Sequence, residues 1–287
     1  MTAIRIVEVG PRDGLQNEAV TLATTDKLTL IQKLIAAGCT EIEATAFVHP
    51  KLVPQLADAV AVLAGLESTV ARFSVLVPNQ KGLERALAAG ARAIAIFTAA
   101  SESFCEKNIG RSIESSLNEY AEVVKTARQH GCWVRGYVST VTHCPYEGKI
   151  PPEQAAQVIA QVAALGCDEV ALGETLGRAV PEEIARLLEH ALPRVPASRL
   201  AGHFHDTNGR ALEHVDVALG FGLTCFDGAV GGLGGCPFAP GAAGNLATEK
   251  LALHLAALGY ETGLDAVALT DVGRWLRSRL EQRPDTL

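Results

Sequence analysis

A single-domain α/β protein of the (β/α)8 type, a TIM barrel, is the fold this sequence predicts, and three observations predict it. Eight short β-branched runs alternate with Ala/Leu-rich stretches of helical period. The runs recur every ~30–45 residues, the length of a βα unit. Glycine closes several helical stretches just before the next run, as in Gly38, Gly90, Gly166 and Gly222, where a left-handed C-cap turns the chain straight into a strand.

The eight runs are Arg5–Val9, Glu41–Thr45, Arg72–Val77, Ala93–Phe97, Val134–Ser139, Glu169–Gly173, Leu200–His205 and Cys225–Ala229. Between the first two, Thr25–Ala37 has amphipathic spacing, with Leu28, Ile31, Leu34 and Ile35 expected on one face. The competing architecture, an open doubly wound sheet, usually shows Gly-x-Gly-x-x-Gly after its first strand. That pattern is absent here, and eight units favour closure. No linker or shift in composition divides the chain, so residues 1–287 read as one domain with a Gly-rich lid near 231–237.

Composition narrows the function classes. Hydrophobic residues make up 48% and aromatics 5%, which suits helices packed over a parallel sheet. A net charge of −7 without a basic patch argues against nucleic acid as a partner. No apolar run reaches the ~18 residues of a membrane span. The N-terminus leads directly into the first run, so no targeting leader is expected. Seven cysteines, odd in number and without Cys-x-x-Cys spacing, read as reduced thiols in the cytoplasm.

In such a barrel, chemistry sits just past the C-terminal ends of the strands. The seventh run ends His203-Phe204-His205-Asp206. Residues two apart on a strand share a side, so both imidazoles can face the barrel mouth and bind a divalent metal. By itself His-x-His also fits a hydrogen-bonded pair. The first run exits through Arg12-Asp13, which supplies a hard anionic ligand and a fixed cation able to stabilise an oxyanion. The eighth run leads to Gly231-Gly232-Leu233-Gly234-Gly235-Cys236, a glycine-rich loop with a thiol able to transfer a proton. Asn245 fits two roles, an N-cap or an amide-oxygen ligand. Glu43 and Glu174 at the ends of the second and sixth runs are candidate acids, bases or supporting carboxylates. His49, His130, His190, His214 and His254 read as surface or packing residues, and His143 is ambiguous.

These stretches resemble the 3-hydroxy-3-methylglutaryl-CoA (HMG-CoA) lyase family, within a wider group of metal-dependent lyases and synthases. The resemblance spans nearly the whole chain. It runs through Val7–Glu18 (VEVGPRDGLQNE), Glu43–Val48, Gly136–Ser139 and Cys144–Lys149 to His203–Thr207 (HFHDT), Gly232–Pro237 and Gly244–Glu249. It implies that Asp13, His203, His205 and Asn245 hold Mg2+ or Mn2+. Arg12, Cys236, Glu43 and His203 are implied to be catalytic, and Arg12, Gln16 and Thr175 to bind substrate. The related synthases usually show R-D-G-E-Q where this chain has R-D-G-L-Q, and many carry an extra C-terminal domain.

One departure stands out. Where the lyases usually show G-D-T, this chain has Gly173-Glu174-Thr175, and Asn208 and Arg210 also differ. Glu174 is the expected base on the substrate hydroxyl, with its carboxylate displaced by ~1 Å relative to Asp. The resemblance implies metal-assisted retro-Claisen cleavage of HMG-CoA to acetyl-CoA and acetoacetate, with the acyl-CoA as partner and a homo-oligomer, a dimer by preference. Two alternatives remain open at this stage: a lyase for a related 3-hydroxy-3-substituted acyl-CoA, and a non-catalytic metal-dependent acyl-CoA-binding protein.

Overall fold

The computed structural model describes residues 3–67, 70–235 and 244–281. Its strands in chain order are β1 (Arg5–Glu8), β2 (Glu41–Ala46), β3 (Arg72–Leu76), β4 (Ala93–Ala99), β5 (Trp133–Ser139), β6 (His143–Cys144), β7 (Gly148–Lys149), β8 (Glu169–Glu174), β9 (Leu200–Phe204) and β10 (Cys225–Gly228). Eight of them close a barrel in the order β1-β2-β3-β4-β5-β8-β9-β10, with every neighbouring pair parallel. The eight predicted runs are the eight barrel strands, with ends shifted by at most two residues. The antiparallel hairpin of β6 and β7 was not foreseen, because two-residue strands leave no periodicity to read.

The helices are α1 (Thr24–Ala36), α2 (Ala59–Ala64), α3 (Gln80–Ala88), α4 (Glu102–Ile109), α5 (Ile113–Gln129), α6 (Pro152–Ala164), α7 (Pro181–Ala191), α8 (Ala211–Gly220), α9 (Thr248–Ala257) and α10 (Ala266–Glu281). The glycines expected as C-caps take positive φ: +98° at Gly38, +89° at Gly90, +100° at Gly166 and +87° at Gly222. The buried face of α1 is centred on Lys27, Leu30, Ile31 and Leu34, so Leu28 and Ile35 sit at its edge rather than at its middle. Lys27 is tolerated in that face because its ammonium reaches Asp58 at 2.6 Å and the Gln55 carbonyl at 2.5 Å.

Strand alternation splits the apolar residues into two layers. Val75, Ile94, Ile96, Val134, Val170, Leu172 and Phe226 point outward and pack against the helices. Val7, Val9, Ala46, Leu76, Ala95, Tyr137, Ala171, Ala201 and Cys225 point into the barrel. Alanines at 95, 171 and 201 leave the interior room for two long side chains, Arg135 and Tyr137, both buried. No helix among the described residues is long and apolar enough to cross a membrane.

Candidate active site

The chain after β1 folds into a single π-helical turn, Gly10–Gly14, in which the amides of Arg12, Asp13 and Gly14 all donate to the Val9 carbonyl. Such turns widen the backbone locally and recur at functional sites. Here the turn aims Arg12 and Asp13 over the barrel mouth. β9 ends with Gly202 opposite Phe226 on β10 and His203 opposite Gly173 on β8. Its last residues and the following bridge residue place His203 and His205 on the same side. One ligand atom from each of Asp13, His203 and His205 lies within 4.8 Å of the other two. The rings of the two histidines are 5.4 Å apart. A carboxylate and two imidazoles gathered in this way fit a divalent cation with mixed nitrogen and oxygen ligands.

Asn245 joins this group by a route other than helix capping. It pairs with His205 through a β-bridge, and α9 begins after Ala247. Its amide nitrogen donates to Asp13 at 2.7 Å and to the Leu233 carbonyl at 3.1 Å. The N-cap alternative is therefore set aside, and Asn245 lies against the candidate ligand Asp13. Gln16 donates to the other Asp13 oxygen at 2.8 Å. Asn17 donates to the Gly235 carbonyl at 2.6 Å, tying the β1 exit to the glycine-rich segment.

Electrostatics matches the charges a metal site needs. Burial works to raise the Asp13 carboxyl, but Arg12, the two histidines and Asn245 outweigh it and bring it down to about 2. Burial and the neighbouring His203 lower His205 to about 4, which keeps the ring neutral and able to ligate. Burial also opposes charge on His203, but its hydrogen bond to Asp227 prevails and raises it. The His205 Nδ1 is buried without a hydrogen-bond partner among the described residues.

Beneath the mouth runs a network that sequence reading missed. Arg12 donates to Asp13 at 2.7 Å and to Glu43 at 2.8 Å. Glu43 also accepts the Tyr137 hydroxyl at 3.0 Å, and Tyr137 accepts Arg135 at 3.0 Å. Arg135 continues to Asp227 at 2.7 Å, and Asp227 closes on His203 Nδ1 at 2.9 Å. The Arg135 Nε also forms an ion pair with Glu169 at 2.9 Å. Arg135, Tyr137 and Asp227 are thus supports of the site. The available signal was the polar residue at every second position of β5 and β10, which marks the inward face of a strand otherwise filled by small residues.

A cavity of about 940 Å3 opens at this end of the barrel and is lined by Arg12, Asp13, Gln16, Thr175, His203 and His205 together with an apolar wall. Gln16 and Thr175 thus lie where substrate contact was expected. Thr175 accepts the Thr140 amide at 2.8 Å. Thr140 sits at φ +55°, an uncommon and costly conformation for a β-branched residue, at the exit of β5. His49, expected at the surface, is exposed but also forms part of the cavity rim. Among the described lining residues Asp13 is the one carboxylate.

Glu174 requires a correction. Its register partner on β9 is Phe204, which belongs to the outward layer, whereas Gly173 is the partner of His203. Glu174 therefore faces away from the cavity. It is fully buried and accepts the Thr142 hydroxyl at 3.1 Å and the amides of Arg178 and Ala179 at 3.2 and 3.4 Å. It staples the turn after β8 and does not reach the mouth as a base. Glu43 is inward but lies below the cavity lining, held by Arg12 and Tyr137. His143 lies in β6, 3.8 Å from Glu183, away from the cavity lining. Cys236 falls outside the described residues, as does the end of the expected lid, whereas Gly231–Gly235 are described. The six described cysteines are free and buried.

Known proteins agree with this architecture. A family profile described as HMGL-like matches residues 3–276. A mitochondrial hydroxymethylglutaryl-CoA lyase of Bos taurus is 48% identical over 284 residues, covering 99% of this chain and 87% of the relative. A 3-hydroxy-3-isohexenylglutaryl-CoA/hydroxy-methylglutaryl-CoA lyase of Pseudomonas aeruginosa is 46% identical over 94% of this chain and 91% of the relative. The crystal structure of an HMG-CoA lyase from Brucella melitensis superposes with a TM-score of 0.96 at 47% identity, covering 98% of this chain and 100% of that one. An HMG-CoA lyase from Acinetobacter baumannii, in complex with coenzyme A and 3-methylmalate, does so at 0.92 and 34% identity, covering 100% and 99%. With the profile spanning all eight barrel strands and the mouth residues in place, this chain belongs to the HMGL-like family, the HMG-CoA lyases among the metal-dependent lyase barrels.

Proposed function

We propose that this protein is a carbon–carbon lyase that cleaves HMG-CoA to acetyl-CoA and acetoacetate. The observation that carries the reading is the gathering of Asp13, His203 and His205 within 4.8 Å at the floor of a large cavity, with the buried Arg12 guanidinium beside them. Relatives named for this activity support it.

Asp13, His203 and His205 would hold a divalent cation, with Asn245 adjacent, and Mg2+ or Mn2+ suits such mixed donors. When bound, that ion supplies Lewis-acid polarisation of the tertiary hydroxyl. Arg12 is fixed on two carboxylates before substrate arrives, so its charge stabilises the thioester enolate without reorganisation. With Glu174 turned outward, His203 is the remaining candidate for taking the hydroxyl proton, and Asp227 makes its ring more basic. Asp227 occupies Nδ1, so Nε2 serves one role at a time: it takes the proton only when off the cation, which Asp13 and His205, with Asn245 adjacent, would then hold. Gln16 and Thr175 orient the substrate, and Cys236 returns a proton to the enolate carbon. We place the protein in the cytoplasm as a homodimer, which cell fractionation and analytical ultracentrifugation check.

A second reading is favoured by one observation. The cavity has an apolar wall of Val48, Val53, Leu76, Phe97, Phe104 and Tyr120, suited to a larger hydrocarbon branch at C3. A relative is named for an isohexenyl substrate as well. Acetyl-CoA release measured over 3-hydroxyglutaryl-CoAs with methyl and longer branches, with Mg2+ or Mn2+ added, separates the two. Turnover confined to long branches overturns HMG-CoA as the substrate. Tight binding without release from any member overturns the lyase reading in favour of a binding protein.

A further inference from the structure

Glu8 is the last residue of β1, and its neighbours Val7 and Val9 point into the barrel, so its own side chain points outward. It is absent from the cavity lining and fully buried. A carboxylate in that position demands partners, and it has three. Its Oε1 accepts the Gly10 amide at 2.7 Å and the Val230 amide at 3.0 Å, and its Oε2 accepts the Thr248 hydroxyl at 2.5 Å. These partners belong to three separate segments. Gly10 opens the turn carrying Arg12 and Asp13. Val230 opens the glycine-rich segment. Thr248 begins α9, three residues after Asn245.

We propose that Glu8 is a positioning residue that joins these three segments and so sets Asp13 against Asn245 across the mouth. The joint is packed to contact. A Cβ added at Gly10 would meet Glu8 Oε1 at 2.5 Å, and one at Gly228 would meet Thr248 Oγ1 at 2.7 Å. A side chain at Gly10 would displace the Glu8 carboxylate from its amides, and one at Gly228 would press on Thr248 at the start of α9. The far side of the loop is held separately, with Glu249 accepting the Gly231 amide at 3.1 Å and Arg277 donating to its carbonyl at 2.9 Å. Glu8 therefore fixes the site-facing side, where Asn245 reaches Asp13 at 2.7 Å.

The proposal rests on the reading of Asp13 as a metal ligand, so the test separates the two. Mn2+ binding to purified, metal-free protein is measured by electron paramagnetic resonance, with unfolding followed in parallel. Glu8→Asp shortens the reach by one methylene and should weaken Mn2+ binding by about 10-fold or more, the scale of supporting contacts around metal ligands. Glu8→Gln keeps the shape, with its oxygen accepting the two amides and its amide donating to Thr248, and should bind Mn2+ within about 3-fold of wild type. Thr248→Val removes one tie while leaving the backbone contacts, and should weaken binding by a smaller factor. If Glu8→Asp and Thr248→Val lose stability but their folded protein binds Mn2+ like wild type, Glu8 is only a packing residue and the proposal fails. If Asp13→Ala also binds like wild type, the metal reading itself fails.

Discussion

His203 Nδ1 lies 2.9 Å from Asp227 Oδ2, and both groups are buried. The contact leaves one ring nitrogen of His203 for the cavity and fixes the ring plane, while Arg135 at 2.7 Å balances the charge of Asp227 from the other side. An imidazole held in this way presents its free nitrogen in one direction, which is what a metal ligand requires.

Asp227→Asn should therefore weaken Mn2+ binding by about 10- to 100-fold, because the amide holds the ring less firmly and leaves Arg135 short of a counter-charge. Equilibrium titration of the metal-free protein checks this. An affinity equal to wild type would show that Asp227 does not orient His203.

Arg12→Met should lower kcat by about 100- to 1000-fold, the scale of losing one oxyanion-stabilising donor, while metal binding persists. It should also destabilise the fold by about 3–5 kcal/mol, since Glu43 loses its cationic partner inside the barrel. Adding Glu43→Gln should recover much of the stability and none of the activity. A double variant that regains turnover would place the role of Arg12 in folding alone.

Glu174→Gln should keep kcat within about 3-fold of wild type, because its carboxylate binds the Thr142 hydroxyl and two backbone amides outside the cavity, far short of the ~100-fold cost of losing a general base. All three bonds end on Oε1, which the Gln amide oxygen can replace, so Tm should change little as well. A loss of two orders of magnitude in kcat at unchanged stability would return the base role to this residue.

Burial raises the Glu8 carboxyl to about 7, against the pull of its bonds from Thr248, Val230 and Gly10. The fold thus favours the protonated form more than the unfolded chain does. That contribution is complete below the ordinary value of 4.5 and is lost as pH rises through about 7. Glu8→Gln cannot titrate, so the Tm difference between wild type and variant should shift against wild type across this window. Thermal unfolding across that range checks it, and a constant difference would mean that Glu8 does not change charge there.

The eight strands, the glycine caps and the inward pair His203 and His205 were legible in the sequence because each depends on local spacing: period two, period 3.6 and a left-handed turn. Asp13 and Arg12 were legible because a strand exit in a closed barrel has one destination, the mouth. Three other features depended on tertiary structure. Glu174 sits one residue beyond Gly173, and that single step on β8 carries it to the helix side, a distinction decided by pairing with β9. Asp227 and Arg135 are 92 residues apart in sequence and meet only because the barrel closes around them. The same closure brings Glu8 beneath Val230 and Thr248, more than 220 residues away. Local pattern selects which face a side chain leaves by, but the partner it finds there depends on how distant strands are ordered, and that order is set by burying the whole apolar layer at once.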